Sequence, residues 1–175
     1  MTYERFEDLP VWQKAAELYE RTEELLENEA FKATHGFRDQ LDRAALSISN
    51  NIAEGFERGT TNELLAFIYI ARGSAGEVRS MLTMKLRRAV KADWPADLKS
   101  AISNLKSIAE SCSRQLRGWA DALQNSEIKG QRHLTEKSRQ ADEQKRRAAA
   151  FEKELLRHLS AWHPKRKEAE EKGLI

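Results

Sequence analysis

Apolar side chains recur in steps of three and four along the first two thirds of the chain, the spacing that places them on one face of a helix. Val11, Ala15, Leu18, Thr22 and Leu25 form the first stripe, flanked by Trp12, Tyr19 and Leu26, and Pro10 is suited to the first helical position. After a connection over 28–36 comes a second stripe, Phe37, Leu41, Ala44, Ala45, Ile48, Ile52 and Phe56, closing near Gly55 to Gly59. Thr60 and Glu63 have capping-box spacing and open a third stripe of Leu64, Phe67, Ile68, Ala71, Ala75, Val78, Leu82 and Leu86. The fourth starts near Pro95 and carries Leu98, Ile102, Leu105, Ala109, Cys112, Leu116, Trp119 and Leu123. Four such stripes with short connections predict an all-α fold, an antiparallel up-down-up-down four-helix bundle over 1–125.

The pattern then changes. Residues 126–147 hold few large apolar side chains and read as a charged linker or a solvated helix. A thinner stripe, Ala148, Phe151, Leu155, Leu159 and Trp162, predicts a fifth helix that Pro164 ends, and 165–175 read as frayed. The second predicted unit, 126–175, is therefore a C-terminal helical extension. Its stripe is too thin to be a core by itself. Phe151, Leu155, Leu159 and Trp162 are candidate partner-binding residues, because helix-in-groove recognition uses anchors at this spacing.

Composition supports long helices. Only 3 prolines and 8 glycines interrupt 175 residues, while 40% hydrophobic and 33% charged residues suit a globular chain with a charged surface. Cys112, the single cysteine, cannot form an internal disulfide and lies at core spacing between Ile108 and Leu116. No apolar run reaches membrane-spanning length, and the first ten residues carry acids where a signal peptide would be basic and then apolar. A cytoplasmic location is expected.

The net charge of +2 hides an asymmetry: residues 1–60 carry 7 basic and 13 acidic side chains, 61–128 carry 10 and 7, and 129–175 carry 13 and 8. The basic excess forms local clusters at Lys85, Arg87, Arg88 and Lys91, at Arg114 and Arg117, and at Lys145, Arg146, Arg147, Lys165, Arg166 and Lys167. These are the candidate nucleic-acid-binding residues, since lysine and arginine neutralise phosphates and release counterions. Aromatic residues do not alternate with them as in single-strand binders that stack bases.

Motifs for catalysis are missing. His35, His133, His158 and His163 form no HExxH, no cysteine pair suggests zinc, and no glycine-rich loop follows a strand. A non-enzyme with no cofactor and no metal is expected. The unusual helix sequence lies elsewhere. Ser47, Asn51, Glu54 and Arg58 make a polar stripe on the second helix, and Arg72 and Glu77 stand among Ala71, Gly73, Ser74, Ala75 and Gly76 on the third. Small residues at Gly73 and Gly76 predict close helix approach and bring Arg72 within reach of Glu54. Arg43, Ser47, Asn51, Glu54, Arg72 and Glu77 are expected to form a partly buried polar network that fixes helix register or a subunit contact, with a ligand or RNA contact as the alternative.

The segments FEDLPVWQKAAELY at 6–19, GFRDQLDRAALSISNNIAEGFERG at 36–59 and FIYIARGSAGEVRSML at 67–82 closely resemble the family of 23S rRNA intervening-sequence proteins. Trp12, Gln40, Arg43, Ala44, Ser47, Asn51, Ile52, Ala53, Glu54, Gly55, Ala71, Arg72, Gly73, Ser74 and Glu77 carry the likeness, which spans about residues 5–120. The resemblance implies an antiparallel four-helix bundle that assembles as a ring-like homopentamer and binds nucleic acid, RNA in preference to DNA. It also implies likeness to the accessory variability protein of diversity-generating retroelements, which partners a reverse transcriptase and its RNA. The chain departs from the family in NEAFKATHGF, where a Leu-Pro element is usual, and in the extension after the fourth helix. Two functions are thus expected in competition: a nucleic-acid-binding scaffold, and a platform whose extension recruits a protein such as a reverse transcriptase.

Overall fold

The computed structural model describes residues 3–125, 136–160 and 162–172; for 136–143, 145 and 146 only the helical backbone is described. Every regular element among the described residues is helical. Residues 1–132 and 133–175 are separate compact units.

The first unit holds a short 3-10 turn at Phe6–Asp8 and four helices: α1 (Pro10–Glu27), α2 (His35–Glu57), α3 (Thr61–Lys91) and α4 (Ala96–Gln124). α1 packs on α2 and α4, and α3 packs on the same two. The predicted stripes are the core. Ala15, Leu18, Leu41, Ile48, Ile52, Leu64, Ile68, Ala71, Ala75, Val78, Leu82, Ile102, Cys112 and Leu116 are fully buried. Thr22 is buried too, its hydroxyl donating to Leu18 O at 2.7 Å. The core excludes water from Cys112, and burial pushes its thiol pKa up to about 12.

Helix starts follow local chemistry. Thr34 Oγ1 accepts the Phe37 amide at 3.3 Å and Thr60 Oγ1 accepts that of Glu63 at 3.3 Å, each relieving an orphan donor. The Thr60 hydroxyl also donates to the Glu63 carboxylate at 2.7 Å. At the end of α3, Asp93 takes the left-handed conformation with φ 48°.

The close approach of α2 and α3 lies elsewhere than expected. Gly73 and Gly76 face open space in the chain. The tight position is Gly55, where a Cβ would stand 2.7 Å from Phe67 Cβ and 3.2 Å from Leu64 Cδ1. Helical spacing locates small residues but does not say which of them meets a neighbour.

In the second unit α5 runs Glu136–His158, so of the two readings of 126–147, charged linker or solvated helix, the helical one describes the segment from 136 onward. α5 ends before Pro164 as expected, but residues expected to fray form α6 (Pro164–Glu171), with Pro164 at the first helical position where its missing N–H is harmless. Ala169 is buried, and Arg166 ties the turn by donating to Arg157 O at 3.0 Å and Leu159 O at 2.7 Å. No helix among the described residues is long and apolar enough to cross a membrane.

Gly55→Ala is expected to destabilise the chain by about 1–3 kcal/mol through overpacking against Phe67. Gly73→Ala and Gly76→Ala meet no neighbour in the chain and should each stabilise an isolated protomer by about 0.5–1 kcal/mol through helix propensity. Urea unfolding of the three variants checks both signs.

Candidate nucleic-acid interface

The connection between α1 and α2 builds one end of the first unit. Asn28 Oδ1 accepts the Ala30 amide at 2.8 Å and Asn28 O accepts that of Phe31 at 3.0 Å, a turn that drops Phe31 into the core at 1% exposure. Trp94 meets Phe31 edge-on, with centroids 5.9 Å apart, and Phe37 lies 6.3 Å away.

Lys85 enters this aromatic pocket from α3. Its Nζ stands 4.1 Å from the Phe37 centroid and 5.4 Å from that of Phe31, and it donates to Lys32 O at 3.1 Å. Lys85 is only 7% exposed, so it is not the phosphate-contacting side chain that its sequence cluster predicted. Its long stem fills a core position one helical turn beyond Leu82, and its charge rests on two ring faces and one carbonyl.

The pocket gathers further cations. The Arg38 guanidinium lies 5.7 Å from the Phe31 centroid and donates to Leu26 O at 2.6 Å. Arg88 stands one turn beyond Lys85 on α3 and is exposed. Desolvation pushes the Lys85 ammonium below its ordinary 10.5, and Arg88 and then Arg38 push the same way, with no carboxylate opposing them. Arg87 and Lys91 are exposed beside this cluster, and among the described residues neither they nor Arg88 form an ion pair. The negative end of the α3 dipole favours cations here, which accounts for part of the clustering at Arg88 and Lys91.

The remaining basic candidates scatter. Arg114 is exposed about 27 Å along the axis of α4 from Ala96. Arg117 pairs with Asp121 at 3.6 Å. In the second unit Lys165 is exposed, Lys167 lies 5.1 Å from the Trp162 centroid, and Arg166 is committed to carbonyls and to Glu170 at 2.9 Å, so it is a structural tie. Arg147 is exposed on α5. The side chains of Lys145 and Arg146 lie outside the described residues.

The expected polar network exists in part. Gln40 Nε2 donates to Glu77 at 2.6 Å, and Gln40 Oε1 accepts from Arg43 at 2.9 Å. Ser47 and Ser74 hydroxyls meet at 3.0 Å, and Asn51 donates to Ser47 O and Oγ at 2.6 and 2.9 Å. Glu54 and Arg72 do not meet. Glu54 takes Arg58 from its own helix, and Arg72 forms no hydrogen bond or ion pair among the described residues. The Arg58 guanidinium instead covers Phe67, 4.9 Å from its centroid. The serine pair and Gln40–Glu77 thus link α2 to α3, and Gln40 joins the set through Arg43.

A family model for the 23S rRNA-intervening sequence protein matches residues 7–117. The chain belongs to the 23S rRNA-intervening sequence protein family. No curated protein matches it. The family match takes in the Phe31 pocket, the α2–α3 links and Arg87, Arg88 and Lys91, and it stops before the second unit. There, outside the family region, Phe151 is 68% exposed, Leu155 53% and Trp162 83%, while Leu159 is half-buried.

Sequence reasoning passed over Phe31, Lys32 and Arg38. The signal was the repeated aromatic–basic pair Phe31-Lys32 and Phe37-Arg38, six residues apart. The rings serve the core and the Lys85 ammonium, so they offer no stacking platform.

Charging Lys85 opposes folding: its stability contribution is present above pH 10.5 and is lost as pH falls through the depressed folded value. Lys85→Met is therefore expected to gain stability relative to the wild type as pH falls from about 11 to 8. Denaturant unfolding of both proteins across that range checks the sign, and a parallel pair of profiles would contradict it.

Proposed function

We propose that the chain is a non-catalytic, oligomeric, cytoplasmic scaffold that binds nucleic acid, RNA in preference to DNA and with weak sequence specificity. The observation that carries this reading is the exposed cation cluster Arg87, Arg88 and Lys91 beside the Lys85 pocket, none of which forms an ion pair among the described residues. Membership of the family adds weight.

The scaffold reading takes the first unit as an antiparallel up-down-up-down four-helix bundle. Its support is the pairing along α2 and α3: early Gln40 with late Glu77, Ser47 with Ser74, and late Gly55 against early Leu64. Assembly, as a pentamer by resemblance, draws support from the outer face of α3. There Tyr69 and Ile70 are 43% and 51% exposed, Met84 is 65% exposed, and Gly73 and Gly76 leave room for a neighbouring backbone. A ring repeats a modest basic patch and multiplies its affinity.

Fluorescence anisotropy with single-stranded RNA and duplex DNA tests the reading. Binding should weaken steeply between low and physiological salt, each phosphate contact adding about 0.7 to the log–log slope for single strands. Absence of binding at low salt would refute it.

A second reading, a platform recruiting a protein such as a reverse transcriptase, is favoured by the exposed Phe151, Leu155 and Trp162. Deleting 133–175 should leave unfolding of the first unit unchanged and abolish capture of that partner. Loss of cooperative unfolding on truncation would make the extension structural instead.

A further inference from the structure

Arg38 and Lys85 meet at the Phe31 pocket, Arg88 stands one helical turn beyond Lys85, and none of the three forms an ion pair among the described residues. Arg38 comes from the second turn of α2, and Lys85 and Arg88 from the last turns of α3. Arg38 and Lys85 share one ring, lying 5.7 and 5.4 Å from the Phe31 centroid. Burying an ammonium beside two guanidinium groups costs stability, and the ring faces and Lys32 O offset only part of that cost. Both guanidinium groups repel the buried ammonium. Along α2, Asp39 pairs with His35 at 3.2 Å, and Asp42, one turn beyond Arg38, meets the Tyr19 hydroxyl. The first turn of α2 carries no acidic residue and adds positive potential, which the negative end of the α3 dipole opposes.

We infer that Arg38, Lys85 and Arg88 form an oxyanion site for one phosphate group. Arg88 and the unspent N–H groups of Arg38 make the contacts. Lys85, held inside, supplies charge from behind and fixes the rim through Phe31 and Phe37. Guanidinium groups suit this task because they present paired donors to two phosphate oxygens. The site deepens the nucleic-acid reading and rests on it for the identity of the ligand. A backbone phosphodiester and free inorganic phosphate share the chemistry, and the test separates them.

The full-length chain is titrated with inorganic phosphate, followed by ¹H–¹⁵N chemical shifts, and with a single-stranded RNA oligonucleotide, followed by anisotropy. The variants are Arg88→Gln, whose side chain has no hydrogen-bond partner among the described residues, Arg38→Lys, which keeps charge and loses the fork, and Arg117→Gln as a remote control. Thermal unfolding confirms that each variant folds. Phosphate should shift the amides around Arg38 and Arg88, and Arg88→Gln should weaken RNA roughly tenfold while Arg117→Gln changes it less than about twofold. RNA binding that is equal in Arg88→Gln and wild type, with no phosphate shifts, would overturn the site and leave the scaffold reading standing. Phosphate binding lost in Arg88→Gln, without RNA binding to the wild type, would uphold the site for a small phosphate and overturn the nucleic-acid reading. Binding of neither ligand would overturn both.

Discussion

The first unit depends on how closely α2 and α3 can approach. Gly55 sets that distance, because any side chain there would strike Phe67 at its Cβ, which is fixed to the backbone and cannot swing away. Ala44 and Ala45 on one helix and Ala71 and Ala75 on the other are also buried. Small residues on both sides bring the helices near enough for two short hydroxyls, Ser47 and Ser74, to reach each other at 3.0 Å. That contact has directional geometry, unlike the apolar packing beside it, so it discriminates between registers that aliphatic side chains tolerate. Gln40 and Glu77 repeat the device farther along.

A fixed seam also fixes where the far end of α3 arrives. Lys85 reaches Phe37 across the α2–α3 interface, and Phe31 is positioned by its own turn and by Trp94. Part of the cation cluster is therefore a product of the core, and the rest, Arg87, Arg88 and Lys91, is exposed beside it. Two of its members, Arg38 and Lys85, already spend donors on backbone carbonyls at 2.6 and 3.1 Å. Rim charges anchored this way lose less conformational freedom on meeting an anion than free side chains do.

Much of this was legible in the sequence. The stripes from Val11 to Leu123 named most of the core because a helical period of three to four residues leaves little choice of face. Thr34 lacked the acidic residue three positions later that made Thr60 conspicuous, so only the second cap could be read. Phe31 escaped because a buried residue in a seven-residue connection has no period. Lys85 was misjudged because charge outweighs position in any linear reading, although its place one turn after Leu82 lay on the core stripe. Gly73 and Gly76 were taken for the seam because composition cannot tell an inner small face from an outer one. The helix at Pro164–Glu171 was missed because proline after a stripe signals an end as readily as a beginning.

Cys112 offers a practical opening. It is the only sulfhydryl in the chain, it is enclosed by the core, and its thiol pKa of about 12 keeps it from ionising at ordinary pH. A second cysteine placed on any outer helix face would thus take a maleimide probe alone while the protein stays folded. Spectroscopic labels can be installed without first removing the native sulfur.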